Sequence, residues 1–146
     1  MRAAIMVAKR GIGRSGVNPP VGCVLIGAGG QLLASGHTGA GGVPHAETAA
    51  LANLDDAGRI ALRGGTAYVT LEPCAHHGKT PPCADALIAS GIARLVVALQ
   101  DPDPRVDGKG LAQIAKKGII VCLGVEAALS NESLRYFICL LYTSPS

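Results

Sequence analysis

Aromatic residues are almost missing from this chain, which has no Trp, one Phe and three Tyr among 146 residues. Proteins that hold single-stranded nucleic acid stack its bases on aromatic side chains beside a basic groove, so that class is disfavoured. Charge is scarce as well. Thirteen Lys and Arg against ten Asp and Glu leave a net +3, evenly spread, too little to argue for a nucleic-acid or membrane-surface partner. No apolar run approaches the roughly 20 residues of a spanning helix. No charged-then-apolar leader precedes a cleavage site, and the expectation is a cytoplasmic protein. The five cysteines are an odd set without regular spacing, which argues against a disulfide framework and fits a reducing compartment.

What the chain has in quantity is aliphatic. Hydrophobic residues make up 49%, mainly Val, Ile, Leu and Ala, as expected of strands buried on both faces and Ala-rich packed helices. The length suits one domain with a real core. A helix over 1–10 is predicted to end at Gly11 and Gly13, because glycine terminates helices. VGCVLI (21–26) and QLLASG (31–36), joined by the glycine-rich GAGG, predict a β-hairpin. A helix is expected from near His45 to about Asp56, a buried strand at TAYVTL (66–71) and a helix that starts at Pro81-Pro82, where proline is tolerated, runs through Ala89 and is closed by Gly91. RLVVAL (94–99), a short helix (111–117), a strand IIVCLG (119–124) and a helical stretch (125–137) complete the order. Such alternation implies a mostly parallel sheet with helices on both faces. Cys23 and Cys122 fall in strand runs and read as small buried hydrophobes.

CLLYTSPS (139–146) has no helical period. It resembles the peptide that a transposase adapter used in DNA library preparation would encode in one reading frame. Residues 1–138 are therefore expected to form the domain, with 139–146 a non-native tail left by a gene cut short in sequencing.

The chemistry is concentrated in His45-Ala46-Glu47, followed after a strand by Pro73-Cys74 and Pro82-Cys83. One imidazole and two thiols are three good ligands for Zn²⁺, the count of a catalytic site with one position open for water. A structural zinc site would want a fourth Cys or His. Glu47, two residues after the histidine, is the natural group to move the protons of that water. Both halves of the pattern open predicted helices, whose unpaired N–H groups favour thiolate over thiol. His-x-Glu followed by paired cysteines is the arrangement of zinc deaminases, with the glutamate as proton shuttle. Taken singly, His-x-Glu is weak and Cys74 would more often be a buried thiol; the weight lies in ligands, order and context together. GIGRSG (11–16) has a glycine spacing like the dinucleotide fingerprint, but it follows a helix and precedes the first strand, the wrong context.

TAYVTLEPCAHHGKTPPCADALIASGIARLVVALQDPDPRVDGKG, with NPPVGCVL and PHAET, resembles the deaminase domain of the bifunctional riboflavin-biosynthesis deaminase/reductases. The resemblance runs from Met1 to about Phe137. Its most specific element is the eight-residue gap between Cys74 and Cys83, where cytidine, deoxycytidylate, guanine and tRNA-adenosine deaminases have two residues. It implies an α/β fold, a three-layer α/β/α sandwich around a five-stranded mixed sheet of cytidine-deaminase-like type. It also implies Zn²⁺ on His45, Cys74 and Cys83, and Glu47 as proton shuttle. The implied substrate is a phosphorylated pyrimidine, 2,5-diamino-6-(5-phosphoribosylamino)pyrimidin-4-one. A reductase domain in the full-length protein and a homo-oligomer are implied partners.

Within the inserted loop, Lys79 offers a permanent cation and His76 and Thr80 offer donors, the set a phosphate needs. The side-chain amide of Asn18 can hydrogen-bond the pyrimidine or ribose. The residues alone allow plainer roles: Lys79 as a solvated loop charge, Asn18 as a turn residue before proline, His77 as a bystander. Two departures from the family pattern stand out. His37 lies eight residues before His45 where many members carry a histidine seven before, so no substrate role is carried over to it. Val17 stands where proline is usual. Two other functions compete: a deaminase of another base or nucleotide, and a structural zinc module, which three ligands instead of four disfavour.

Overall fold

The computed structural model describes residues 1–12, 20–75, 82–101 and 108–127. Five strands form one sheet in the order β2-β1-β3-β4-β5. They are β1 (Gly22–Ile26), β2 (Leu32–His37), β3 (Thr66–Leu71), β4 (Arg94–Leu99) and β5 (Ile120–Leu123). The helices are α1 (Arg2–Lys9), α2 (Ala46–Ala52), α3 (Asp56–Leu62), α4 (Cys83–Ala89) and α5 (Lys109–Lys116). β3 and β4 have the limits that their β-branched and aliphatic runs predict, because turn-forming residues bound them on both sides.

The predicted hairpin is present, with β1 antiparallel to β2 and Cys23 facing Gly36. The sheet is mixed, as the family resemblance implies, and less parallel than the alternation of elements suggests. β3 pairs with β1 antiparallel, and only β3–β4 and β4–β5 are parallel. The reason is topological. The hairpin reverses the chain, β2 takes the edge, and β3 returns to the free side of β1. β2 and β3 therefore run in the same direction on either side of β1, and their carboxyl ends emerge at one edge of the sheet.

Side chains alternate across the strands. One face carries Cys23, Leu25, Ala67, Val69, Leu71, Leu95 and Val97, buried against Ala46, Ala50, Leu62, Ala84, Leu87 and Ile114. Each large aliphatic side chain there contributes roughly 1.5–3 kcal/mol by leaving water. α1 lies on the opposite face, burying Ala4, Ile5 and Ala8. α2 approaches the sheet so closely that a Cβ on Gly36 would sit 2.4 Å from the Ala50 amide nitrogen. Only glycine admits that contact.

The helix expected to run to about Asp56 ends at Ala52, and a second helix that the sequence reading did not include, α3, begins at Asp56. Asn53–Asp55 separates the two, and the Asp55 carboxylate accepts the Gly58 N–H at 2.6 Å, capping α3. Cys122 also departs from expectation. β5 is an edge strand with no fully buried residue, so this thiol is half-buried, whereas Cys23 is fully buried. The helix predicted over 125–137, apart from its first residues, and the tail at 139–146 lie outside the described residues.

Candidate active site

His45 and Cys74 come together because β2 and β3 deliver the chain to the same sheet edge. The segment after β2 turns back through a bond from the Gly39 N–H to the Pro44 carbonyl, 3.0 Å. His45 then occupies the N-cap position of α2 in extended backbone geometry (φ −67°, ψ 157°), with Glu47 in the first turn. After β3 the chain passes Glu72 and Pro73 to Cys74. Cys83 is the first residue of α4, with Pro82 as its N-cap. Its backbone N–H donates to Cys74 Sγ at 3.3 Å, so the second cysteine's amide fixes the first cysteine's sulfur. The Ala84 N–H reaches the Cys74 carbonyl at 3.0 Å, locking the turn.

His45 Nδ1 lies 3.2 Å from Cys83 Sγ and 3.8 Å from Cys74 Sγ. All three ligand atoms fall within 4.8 Å of one another. Tetrahedral zinc with ordinary Zn–S and Zn–N bonds requires S···N separations of about 3.6 Å, which the two observed values bracket. One hard–soft borderline nitrogen and two sulfurs are the donor chemistry zinc prefers. Among the described residues no fourth His, Cys, Asp or Glu joins the cluster, so these three leave a position open.

The two thiols are displaced in opposite directions. Cys74 is drawn down to about 4, first by its hydrogen bond from the Cys83 thiol, then by His45 and the Cys83 amide, against the opposing effect of burial. Cys83, holding the proton that the sulfurs share, is held up by that bond and by burial. The bond to Cys74 raises His45 against burial. Glu47 is 4% exposed; burial raises its carboxyl above the ordinary range, and the nearby Cys74 charge adds to the effect. Desolvation disfavours the charged form, so this carboxyl takes a proton readily.

Of the other predicted site residues, Asn18, His76, Lys79 and Thr80, like His77, lie outside the described residues. His37 ends β2, its Nδ1 2.9 Å from the Thr38 carbonyl. Two residues escape sequence reasoning. Thr48, one turn into α2, brings Oγ1 to 4.0 Å from Cys83 Sγ. Glu72 is 4% exposed and accepts three backbone N–H groups. Its only signal in the sequence is an acid closing an otherwise uncharged strand just before Pro73-Cys74.

The mixed sheet and the His-Cys-Cys cluster at its carboxyl edge define a zinc protein of cytidine-deaminase-like fold. The model of the cytidine and deoxycytidylate deaminase zinc-binding region matches residues 1–99, and the chain belongs to that family. It is 49% identical over 138 residues to the riboflavin biosynthesis protein RibD of Escherichia coli (strain K12), covering 94% of this chain and 36% of the relative. A crystal structure from Thermotoga maritima, a diaminohydroxyphosphoribosylaminopyrimidine deaminase/5-amino-6-(5-phosphoribosylamino)uracil reductase, superposes with a TM-score of 0.87 at 42% identity. The match spans 97% of this chain and 40% of that one. Acinetobacter baumannii RibD gives a TM-score of 0.88 at 44% identity over 97% of this chain and 38% of its own. The chain thus spans about a third of the length of the curated relatives it matches. Among the described residues no helix is long and apolar enough to cross a membrane.

Proposed function

We propose that this chain is the deaminase part of a riboflavin-pathway deaminase/reductase. It removes the 2-amino group of 2,5-diamino-6-(5-phosphoribosylamino)pyrimidin-4-one by hydrolysis, giving 5-amino-6-(5-phosphoribosylamino)uracil and ammonia. The observation that carries the reading is the convergence of His45, Cys74 and Cys83 on one point, with a buried, proton-accepting Glu47 two residues from the histidine. Relatives at up to 49% identity over nearly the whole chain support the choice of substrate.

In this reading His45, Cys74 and Cys83 hold zinc, which supplies the Lewis acidity that makes water nucleophilic at neutral pH. Glu47 does the proton work: it receives a proton from the attacking water at a carboxylate oxygen and delivers it to the departing nitrogen. A C–O bond forms at C2 and the C2–N bond breaks, with the leaving group departing as ammonia. Lys79, His76 and Thr80 hold the phosphate, and Asn18 hydrogen-bonds the pyrimidine or ribose. A reductase domain in the full-length protein, assembly into a homo-oligomer and a cytoplasmic setting complete the proposal.

The deciding experiment measures ammonia release from the phosphoribosylaminopyrimidine, cytidine and guanine, with zinc content determined on the same sample. Turnover of the first alone, by zinc-loaded protein, is expected; preference for cytidine or guanine would overturn the substrate. Lys79→Ala should raise KM for the phosphorylated substrate with little change in kcat. An unchanged KM would mean that the phosphate is held elsewhere.

A further inference from the structure

Glu72 is a buried carboxylate with no chemistry assigned to it. Its backbone N–H bonds the Leu99 carbonyl at 2.9 Å, continuing the β3–β4 ladder one residue past the strand. Its side chain turns toward the two ends of the connection between β4 and α5. Oε1 accepts from the Asp101 N–H at 3.2 Å and from the Gly108 N–H at 2.9 Å. Oε2 accepts from the Gly110 N–H at 3.1 Å. Among the described residues, the groups that solvate this carboxylate are three backbone amides. Charge-assisted bonds of this kind are among the stronger ones in proteins, and a buried carboxylate that lost them would be left uncompensated.

The backbone on the far side is shaped to meet it. Gly108, the N-cap of α5, has φ +83°, which glycine adopts without strain. At Gly110 an added Cβ would fall 2.0 Å from the Pro73 carbonyl oxygen. The first turn of α5 therefore lies directly on the peptide that joins Pro73 to Cys74. The carboxylate on one side of Pro73 and the glycine contact on the other grip the residue that precedes the cysteine. The backbone anchors of that cysteine are the Cys83 amide on its sulfur and the Ala84 amide on its carbonyl.

We propose that Glu72 is the positioning residue of the metal centre. By tying the end of β4 and the start of α5 to the Pro73-Cys74 turn, it sets the direction in which Cys74 Sγ is presented to the ion. The inference rests on the reading of Cys74 as a metal ligand. It concerns this chain's own backbone, and its strength is tested without turnover.

The test compares the full chain with Glu72→Gln, Gly110→Ala and Cys74→Ala. Gln preserves size but puts an NH2 where one carboxylate oxygen accepted an N–H, and Gly110→Ala leaves the carboxylate intact while forcing α5 off Pro73. Zinc affinity is measured by competition with a chromophoric chelator. The ligand-field spectrum of the Co²⁺-substituted protein is recorded on folded samples. Glu72→Gln is expected to weaken zinc by about tenfold to a hundredfold, the usual effect of losing a group that orients a ligand, and to shift the Co²⁺ bands; Gly110→Ala should act in the same direction. Wild-type affinity and an unchanged Co²⁺ spectrum in Glu72→Gln, with Cys74→Ala unable to bind zinc, would overturn the positioning role alone. Wild-type zinc affinity in Cys74→Ala would instead overturn the ligand reading beneath it. Should the two positioning variants fail to fold, hydrogen exchange on the wild-type chain decides. The Gly108 and Gly110 amides are expected to be protected as part of the sheet edge, and exchange at the rate of an open loop would refute the grip.

Discussion

Glu47 and Cys74 are displaced in opposite senses by the same small volume. Glu47 is raised, chiefly by burial; Cys74 is lowered to about 4, chiefly by a neighbouring thiol. Groups pushed apart in this way would let one site hold both the proposed ligand and the proposed proton carrier at a single pH. Glu47→Gln keeps the shape and the three ligands but cannot take a proton. Zinc content is expected to stay at the wild-type level while ammonia release falls by about 10²–10⁴-fold, measured by metal analysis and a coupled ammonia assay. Release near the wild-type rate would remove Glu47 from the proton path. These residues were legible in the sequence because ligand type, spacing and helix context coincide. Glu72 was not, because an acid beside a proline reads equally as a turn residue, and its three partners lie 29, 36 and 38 residues away.

At the level of elements, the position of α2 decides where both His45 and Glu47 point, and Gly36 decides the position of α2. A methyl group there would meet the Ala50 amide nitrogen at 2.4 Å and the Ala46 carbonyl at 2.7 Å. Both are backbone atoms and cannot swing aside. Gly36→Ala is expected to cost about 1–3 kcal/mol in overpacking and, by displacing α2, to reduce zinc stoichiometry. Urea denaturation and metal analysis check the two effects separately. The strands were legible where aliphatic runs meet turn residues, as at β3 and β4. The helix α3 was not, since it has only one buried residue, Leu62, and its opening signal, the Asp55 cap, is a single residue. The direction of β3 was not legible either. Alternation of strands and helices does not say whether a strand rejoins beside its predecessor or beyond it.

Across the whole molecule, His45 lies 38 and 29 residues from Cys83 and Cys74, so zinc held by these three residues would link metal binding to folding. Zinc bound to the native chain only, at about a hundredfold over its dissociation constant, should stabilise it by about 2.7 kcal/mol. The melting temperature is expected to rise by several degrees with zinc and to fall back on chelation, followed by circular dichroism. A melting point indifferent to zinc would mean that no preformed site exists. The residues proposed for the phosphate and pyrimidine are read from the sequence and its resemblance to a family, because His76, Lys79, Thr80 and Asn18 fall outside the described segments.

β2 and β3 run side by side in direction only because β1 lies between them, antiparallel to both. The histidine and the cysteines therefore meet only once two antiparallel pairings have been completed, each in its proper register. Slipping β3 by one residue against β1 would turn the approach to Cys74 toward α1 and away from His45. Tight zinc binding is therefore expected of the native register, the one that brings the three side chains together. In refolding experiments, tight zinc uptake should trail the appearance of sheet structure and report the fraction of chains that have reached the correct register.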